Sequence, residues 1–135
     1  MPLQLSVAVR NALLDAMETA VGASPVLKVR TGAAPANCAA ADAGTLLATL
    51  PLPADWMAAA AAGSKAKSGT WEDTSADAAG TAAHFRVYAN DGTTCHYQGT
   101  VTITGGGGDM IVDNVSFAVG QAFSITAFTL TAPGA

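Results

Sequence analysis

Residues 83–104, AHFRVYANDGTTCHYQGTVTIT, contain the clearest β-hairpin signal in the chain. Apolar and polar side chains alternate on both sides of Asp91-Gly92, a pattern typical of two antiparallel strands joined by a tight turn. A two-residue loop would set the apolar side of one strand beside the polar side of the other. A three-residue loop, 91–93, pairs Val87 with Tyr97 and turns both apolar sides to one face. Because a slip of one residue exposes a whole face, we predict the three-residue loop.

Short apolar runs bounded by Gly, Pro, Asn or Asp continue the β pattern on both sides of the hairpin. We predict further strands over residues 26–30, 45–50, 70–72, 109–115 and 122–132. In the last of these the apolar parity changes near Ala127, which indicates a bulge or a strand covered on both faces. The glycine run at 105–108 predicts a flexible connector. Residues 56–63 suit a strand and a single helical turn equally.

Residues 6–22 are predicted to form the one helix. Ser6 is suited to the N-cap and Gly22 to the C-terminal stop. Between them an apolar stripe recurs at three- and four-residue spacing. Its members are Val9, Leu13, Ala16, Met17 and Ala20. A helix of this length must bury such a stripe against its own domain or against a neighbouring subunit, and the sequence leaves both open.

The pattern as a whole predicts a mainly β fold. We expect a single domain over residues 1–135, with the helix at 6–22 and an antiparallel jelly roll or β-sandwich of about seven or eight short strands at 25–132. Much of the apolar content is Ala, so the few large side chains must provide most of the packing. These are Trp56, Trp71, Phe85, Phe117, Phe123 and Phe128.

The chain is poor in charge, with 12% charged residues and a formal net charge of -4. Six basic residues against ten acidic ones argue against nucleic-acid binding, which needs clustered Lys and Arg. So uncharged a surface fits a small neutral domain, and it fits a surface that other subunits cover equally well.

The opening MPLQLSVAVR lacks the features of a signal peptide, and no apolar run is long enough to span a membrane. We therefore expect synthesis in a cytoplasm, with the thiols of Cys38 and Cys95 reduced. A disulfide between them is the alternative.

Few groups of residues in the sequence are spaced for metal binding or catalysis. His84, Cys95 and His96 are close in sequence, but the predicted register separates the two histidines by about 13 Å along the ladder, too far for one zinc ion. Cys95 falls on the apolar face with Tyr97, and both histidines fall on the face expected to meet solvent. No nucleophile elbow, phosphate loop or facing pair of carboxylates is evident. We predict no catalytic residue, no cofactor and no metal, so the chain is not expected to be an enzyme.

Sugar binding is the alternative function. Jelly rolls often carry lectin sites, and an exposed aromatic ring can stack on a sugar. The candidate rings are Trp56, Trp71, Tyr88 and Tyr97.

Six segments distributed over nearly the whole chain resemble one protein family. They are VRNALLD (9–15), KVRTGA (28–33), ANCAAAD (36–42), HFRVY (84–88), DGT (91–93) and FTLTA (128–132). The chain resembles the small cement (decoration) proteins of tailed-bacteriophage heads, of the kind carried by short-tailed Bordetella phages. The resemblance implies a jelly roll that attaches to the outside of a shell of HK97-like major capsid protein, and it implies no active site.

These expectations give a structural role in a virion. The protein would be made in the host cytoplasm, bind the phage major capsid protein and bridge its subunits, and associate with itself, most simply as a dimer. The candidate partner-binding residues are Leu13 and Met17 on the helix and Phe128 and Leu130 on the last strand. That strand could also add to the sheet edge of a partner. The alternative is a carbohydrate-binding jelly-roll module on a phage particle.

Overall fold

A computed structural model describes residues 3–135 and confirms the mainly β fold with one N-terminal helix. The strands form curled, mostly antiparallel sheets consistent with a small β-sandwich. The elements are α1 (Val7–Val21), β1 (Val26–Arg30), β2 (Leu46–Pro51), β3 (Ser64–Ala66), β4 (Trp71–Asp73), β5 (Gly80–Thr81), β6 (His84–Tyr88), β7 (Cys95–Ile103), β8 (Met110–Val112), β9 (Ser116–Phe117), β10 (Phe123–Ile125) and β11 (Thr129–Thr131).

Both predicted ends of α1 are confirmed. The Ser6 hydroxyl accepts a hydrogen bond from the Val9 amide at 3.2 Å, and Gly22 ends the helix with a φ of 89°. The amide of Gly22 donates to the carbonyl of Glu18 at 3.0 Å. These caps satisfy backbone groups that would otherwise lack partners at the two ends of the helix.

The largest sheet has the strand order β2-β1-β6-β7-β8. The predicted register is confirmed, because Val87 lies opposite Tyr97 and Phe85 opposite Gly99. The connection is longer than predicted. A bulge near its end shifts the pairing so that Tyr88 lies opposite Cys95. The bulge therefore moves Cys95 from the expected apolar face to the face of Tyr88.

The return from β7 to β8 differs from the prediction in two ways. The two strands pair in parallel, with Val101 opposite Met110, although parallel neighbours ordinarily need a crossover of about a dozen residues. The glycine run, expected as a flexible connector, closes this short return. The amide of Gly108 donates to Thr102 Oγ1 at 3.0 Å, and a Cβ on Gly106 would lie 2.6 Å from the Thr102 Cβ. Glycine is therefore needed here because the backbone folds closely over Thr102.

Three two-stranded ribbons, β3-β11, β4-β10 and β5-β9, make up the rest of the β structure in the described residues. The predicted strand 122–132 divides into β10 and β11, which pair with different partners, and this break explains the change of apolar parity near Ala127. Such breaks also raise the strand number above the predicted seven or eight. Within residues 56–63 only isolated bridges form, Met57 to Lys67 and Ala61 to Ser64.

The core is built around the large aromatic side chains, as predicted. All six are buried: Trp56, Trp71, Phe85, Phe117, Phe123 and Phe128. Phe128 packs between β4 and strand β6 of the main sheet, because its ring centroid lies 5.8 Å from that of Trp71 and 5.7 Å from that of Phe85. Tilted and edge-to-face contacts of this kind add to the free energy gained by burying the rings.

The polar side of β6 does not face solvent, contrary to the prediction for His84. Residues 31–45, which connect β1 to β2, cover it, and His84, Arg86 and Tyr88 are all buried. His84 Nδ1 lies 2.7 Å from the carbonyl oxygen of Gly32, which can only accept, so Nδ1 carries the proton. The other histidine, His96, is exposed as expected.

Candidate interaction surface

Three of the four candidate partner-binding residues line one surface hollow. Met17, Phe128 and Leu130 border a hollow of about 300 Å³ between α1, β11 and the main sheet. Leu13 lies outside it, one helical turn before Met17, and is 47% exposed. The structure therefore brings three candidates together and leaves the fourth beside them on the same helix.

The position of Phe128 follows from the break between β10 and β11. Phe128 lies just before β11, where its carbonyl accepts a hydrogen bond from the Lys67 amide at 2.9 Å. Its ring points inward between Trp71 and Phe85 and leaves only 6% of the residue exposed. Leu130, two residues later in β11 opposite Lys65, is half-buried at the rim. Phe128 therefore forms the floor of the hollow and Leu130 part of its wall.

A second hollow of about 270 Å³ adjoins the first. The two share Asp109, Phe128 and Thr129, and the second extends to the partly exposed Ile111 on β8. We refer to the two hollows together as the groove. It runs from Met17 at one end to Ile111 at the other, with an apolar floor.

Polar residues line the groove beside its apolar floor, namely Tyr97, Gln98, Asp109, Thr129 and Thr131. Asp109 Oδ2 accepts hydrogen bonds from the amide of Thr100 at 2.9 Å and from its hydroxyl at 3.1 Å. The Tyr97 ring also lines the groove, and its phenolic oxygen is buried with no hydrogen-bond partner among the described residues. Burial raises the pKa of the Tyr97 phenol, so the group stays protonated. One carboxylate held by Thr100 of the neighbouring strand β7 and one neutral phenol do not form a catalytic pair.

The predicted apolar stripe of α1 is not its buried face. The side chains that α1 buries are Arg10, Leu14 and Val21, whereas Val9 and Leu13 are 46% and 47% exposed. Ala16 and Ala20 are exposed as well, and Met17 is partly buried at the groove. The stripe therefore lies on the flank of α1, about a quarter of a turn from the face that docks.

Polar contacts, together with the buried Leu14 and Val21, dock α1 on the domain. The guanidinium of Arg10 donates to the carbonyl of Ala132 at 2.8 and 3.2 Å. Lys65 Nζ, in a side chain 2% exposed, lies 2.7 Å from Asp15 and 2.8 Å from Glu18. Burial disfavours the charge on Lys65, but the two carboxylates outweigh it and hold the pKa of this amine above its ordinary value. The flank is left uncovered because these ionic and hydrogen-bonded contacts, distant in sequence, orient the helix.

The densest group of ionisable side chains lies on the other side of the main sheet, around Arg86. Its Nη1 lies 2.6 Å from Asp42 Oδ1, and its Nε donates to Gln98 Oε1 at 3.0 Å. Its Nη2 lies within hydrogen-bond distance of three carbonyls of the covering segment, those of Asn37, Cys38 and Ala40. We call this set the Arg86 clamp.

Tyr88 completes the clamp by donating a hydrogen bond to Asp42. Burial opposes the charge on Asp42, but hydrogen bonds from Tyr88 and Arg86 outweigh it and hold its pKa below the ordinary value of 3.8. Because each nitrogen of the Arg86 guanidinium has an acceptor in the protein, the clamp fastens residues 31–45 to the sheet and presents no free reactive group.

Another hollow lies at the ends of β2 and β4, with a volume of about 370 Å³. Glu72 and Asp73 line it, but both oxygens of Asp73 already accept backbone hydrogen bonds, from Thr49 and Ser75, each at 2.9 Å. These bonds are typical of turn carboxylates that stabilise the local backbone. No group of three or more His, Cys, Asp or Glu side chains in residues 3–135 is placed to hold a metal ion.

The rings considered for sugar stacking are mostly inaccessible. Trp56, Trp71 and Tyr88 are each about 1% exposed, and the indole N–H groups of both tryptophans donate to backbone carbonyls, those of Gly22 and Ser68. Only Tyr97 offers part of its ring at the surface. A stacking platform for a sugar would need at least one broad exposed ring.

Comparison with known proteins gives no relative: no family model, no curated protein and no solved structure matches the chain. Among the helices of the described part, none has the length and apolar character needed to cross a membrane.

Proposed function

We propose that this protein is a structural component of a phage virion, which binds the outside of the capsid and stabilises it by bridging major capsid protein subunits. The observation that carries the proposal is the uncovered apolar flank of α1, centred on Val9 and Leu13. In a surface helix of a self-contained domain, apolar residues face the core and polar ones face solvent. Here Leu14, Val21, ion pairs and hydrogen bonds dock the helix, and a second set of apolar side chains, on the flank, is left for a partner.

The groove extends the same surface. Met17 belongs both to the α1 flank and to the groove wall, and Leu130 and Ile111 carry the apolar lining onward across the sandwich. A partner seated on the flank therefore has an adjoining hollow for an apolar side chain. Shape and apolar area of this kind suit a protein that works by covering a surface.

Bridging requires contact area and a rigid body. The Arg86 clamp and the caps of α1 satisfy their polar groups within the chain, which suits a rigid part better than a reactive site. The major capsid protein is proposed as the partner because the chain resembles phage cement proteins, whose task is to reinforce the shell.

Saturable co-sedimentation with empty capsid shells tests the proposal. Leu13→Gln removes an apolar side chain from the flank, and Ala12→Gln places the same new residue at a neighbouring exposed position as the matched control. We expect wild type and Ala12→Gln to bind the shells in a fixed ratio to capsid subunits and Leu13→Gln to bind at least about tenfold more weakly. Folded wild-type protein that stays in the supernatant at every concentration would refute the proposed function.

The C-terminal segment is less suited to strand addition than the sequence indicated. Both β10 and β11 pair with strands of the same chain, and Phe123, Ile125 and Phe128 are core residues. Deleting residues 122–135 would therefore unfold the domain before any contact with the shell could be measured. Self-association as a dimer stays a prediction, which sedimentation velocity of the free protein tests. A single species of monomer mass would contradict it.

A further inference from the structure

The two cysteines meet in space although they are 57 residues apart in sequence. Cys95 Sγ lies 2.9 Å from Cys38 Sγ, and both cysteines are partly buried free thiols. Cys38 belongs to the covering segment 31–45, and Cys95 opens β7 on the hairpin that this segment covers.

Contacts independent of the sulfur atoms hold each cysteine in place. The carbonyl of Cys38 accepts a hydrogen bond from Arg86 Nη2 at 3.2 Å, and an Asn37 side chain caps the turn that contains it, accepting from two amides at 3.0 Å. Cys95 is aligned by its pairing with Tyr88 and by the bulge that follows it. A regular ladder would have directed Cys95 into the apolar core. The bulge therefore serves to bring the two thiols together.

We propose that Cys38 and Cys95 are a disulfide site, reduced while the protein is made and closed within one chain when the protein meets an oxidising small-molecule disulfide. Thiols that lie side by side before oxidation need little backbone movement to satisfy disulfide geometry. The bond would fasten the covering segment to the hairpin covalently, at the place where the Arg86 clamp already holds it.

The reaction balances as thiol–disulfide exchange with oxidised glutathione as the oxidant. The thiolate of the first cysteine attacks one sulfur of the glutathione disulfide and releases one glutathione thiolate. The second cysteine loses its proton to solvent and attacks the Sγ atom of the first cysteine in the mixed disulfide. This attack releases the other glutathione as a thiolate. Two protein thiols are oxidised to one disulfide, and one small disulfide is reduced to two thiols.

The local environment orders the two steps. Cys95 donates its hydrogen bond to Cys38, and burial together with this bond raises the pKa of Cys95 to about 12. Cys95 is therefore held protonated at neutral pH and is the poorer first nucleophile. Cys38 accepts the bond and attacks first, after which Cys95 closes the bridge.

Incubating the folded, reduced full-length protein with oxidised glutathione tests the proposal without any phage component. We expect intact mass spectrometry to show the loss of two hydrogens, peptide mapping to join Cys38 to Cys95, and the melting temperature to rise by about 10 °C, since the bond closes a long loop. The melting temperature should return to its starting value on addition of dithiothreitol.

Single variants separate the two roles. Cys95→Ser should stop at a stable glutathione adduct on Cys38, whereas Cys38→Ser should gain its adduct about tenfold or more slowly. Equal rates in the two variants would overturn the order of attack. Wild-type protein that keeps two alkylatable thiols, stops at glutathione adducts or forms only disulfide-linked dimers would overturn the proposal itself. Because no shells are present, neither result bears on the proposed capsid role.

Discussion

Replacing Arg86 with methionine tests how the covering segment 31–45 is held. The guanidinium is 2% exposed and makes five hydrogen bonds, to Asp42, to Gln98 and to three backbone carbonyls. Methionine keeps an unbranched side chain of similar reach on the sheet but has no donor. The variant therefore removes the hydrogen bonds with little change in apolar packing.

The magnitude is limited by what the remaining acceptors can do. Hydrogen bonds to a charged group contribute about 1.5–3 kcal/mol each, but a sum over five would overestimate the loss because they share one side chain. Asp42 is 39% exposed and can regain water, whereas Gln98 and the carbonyl of Ala40 are partly buried. A buried acceptor left without its donor costs about 1–3 kcal/mol, and with two such acceptors we expect Arg86→Met to cost about 2–6 kcal/mol.

Urea unfolding followed by tryptophan fluorescence measures the change, since Trp56 and Trp71 are both in the core. The expected loss corresponds to a fall in melting temperature on the order of 10–20 °C. Arg30→Met is the matched comparison, because Arg30 contacts the same segment with only two long bonds, to Asp42 at 3.2 Å and to the Gly44 carbonyl at 3.4 Å, and should cost about 1 kcal/mol. If Arg86→Met unfolds within about 1 kcal/mol of wild type, the clamp does not hold the segment.

The remaining predictions concern acid, a glycine and the helix. The lowered pKa of Asp42 means that its contribution to stability is present above pH 3.8 and is lost as the pH falls through the lower folded value, so Asp42→Asn should flatten the acid limb of a stability–pH curve. Gly99→Ala should cost about 1–3 kcal/mol in urea unfolding, because its new methyl group would lie 2.9 Å from Phe85 Cε1. Leu14→Ala should cost about 2–5 kcal/mol and Leu13→Ala about 0.5 kcal/mol or less, since only the first side chain is buried.

Each of these has a contrary outcome. An unchanged acid limb in Asp42→Asn would mean that other carboxylates set the acid transition. An unchanged free energy of unfolding in Gly99→Ala would mean that the strand can shift away from Phe85. Equal losses for the two leucine variants would mean that α1 docks through the flank after all, and the basis of the proposed function would fall with it.

Local features were predictable from the sequence. The caps of α1 need only Ser6 and Gly22 at the right spacing, and the hairpin register follows from the alternation on each side of Asp91-Gly92. The alternation of Phe128 and Leu130 with polar residues in the last predicted strand, together with the position of Met17 on the helix, was enough to identify residues that line one hollow.

The features that the sequence missed depend on contacts between distant residues. The docking face of α1 is set by Lys65 and by the carbonyl of Ala132, and neither can be inferred from helical periodicity. The polar side of β6 is buried because segment 31–45 folds back over it. The one acid in that segment, Asp42, was the available signal, since Arg30 and Arg86 both needed a counter-charge. The bulge that moves Cys95 to the face of Tyr88 has no signal in the amino-acid sequence.

The reinforcing role is tested most directly by heating DNA-filled particles that lack this protein, with and without added purified protein, and following DNA release with an intercalating dye. We expect particles with wild type or Ala12→Gln to release their DNA at a higher temperature than bare particles, and particles with Leu13→Gln to behave like bare ones. Release at the same temperature with and without bound wild-type protein would contradict a cementing function.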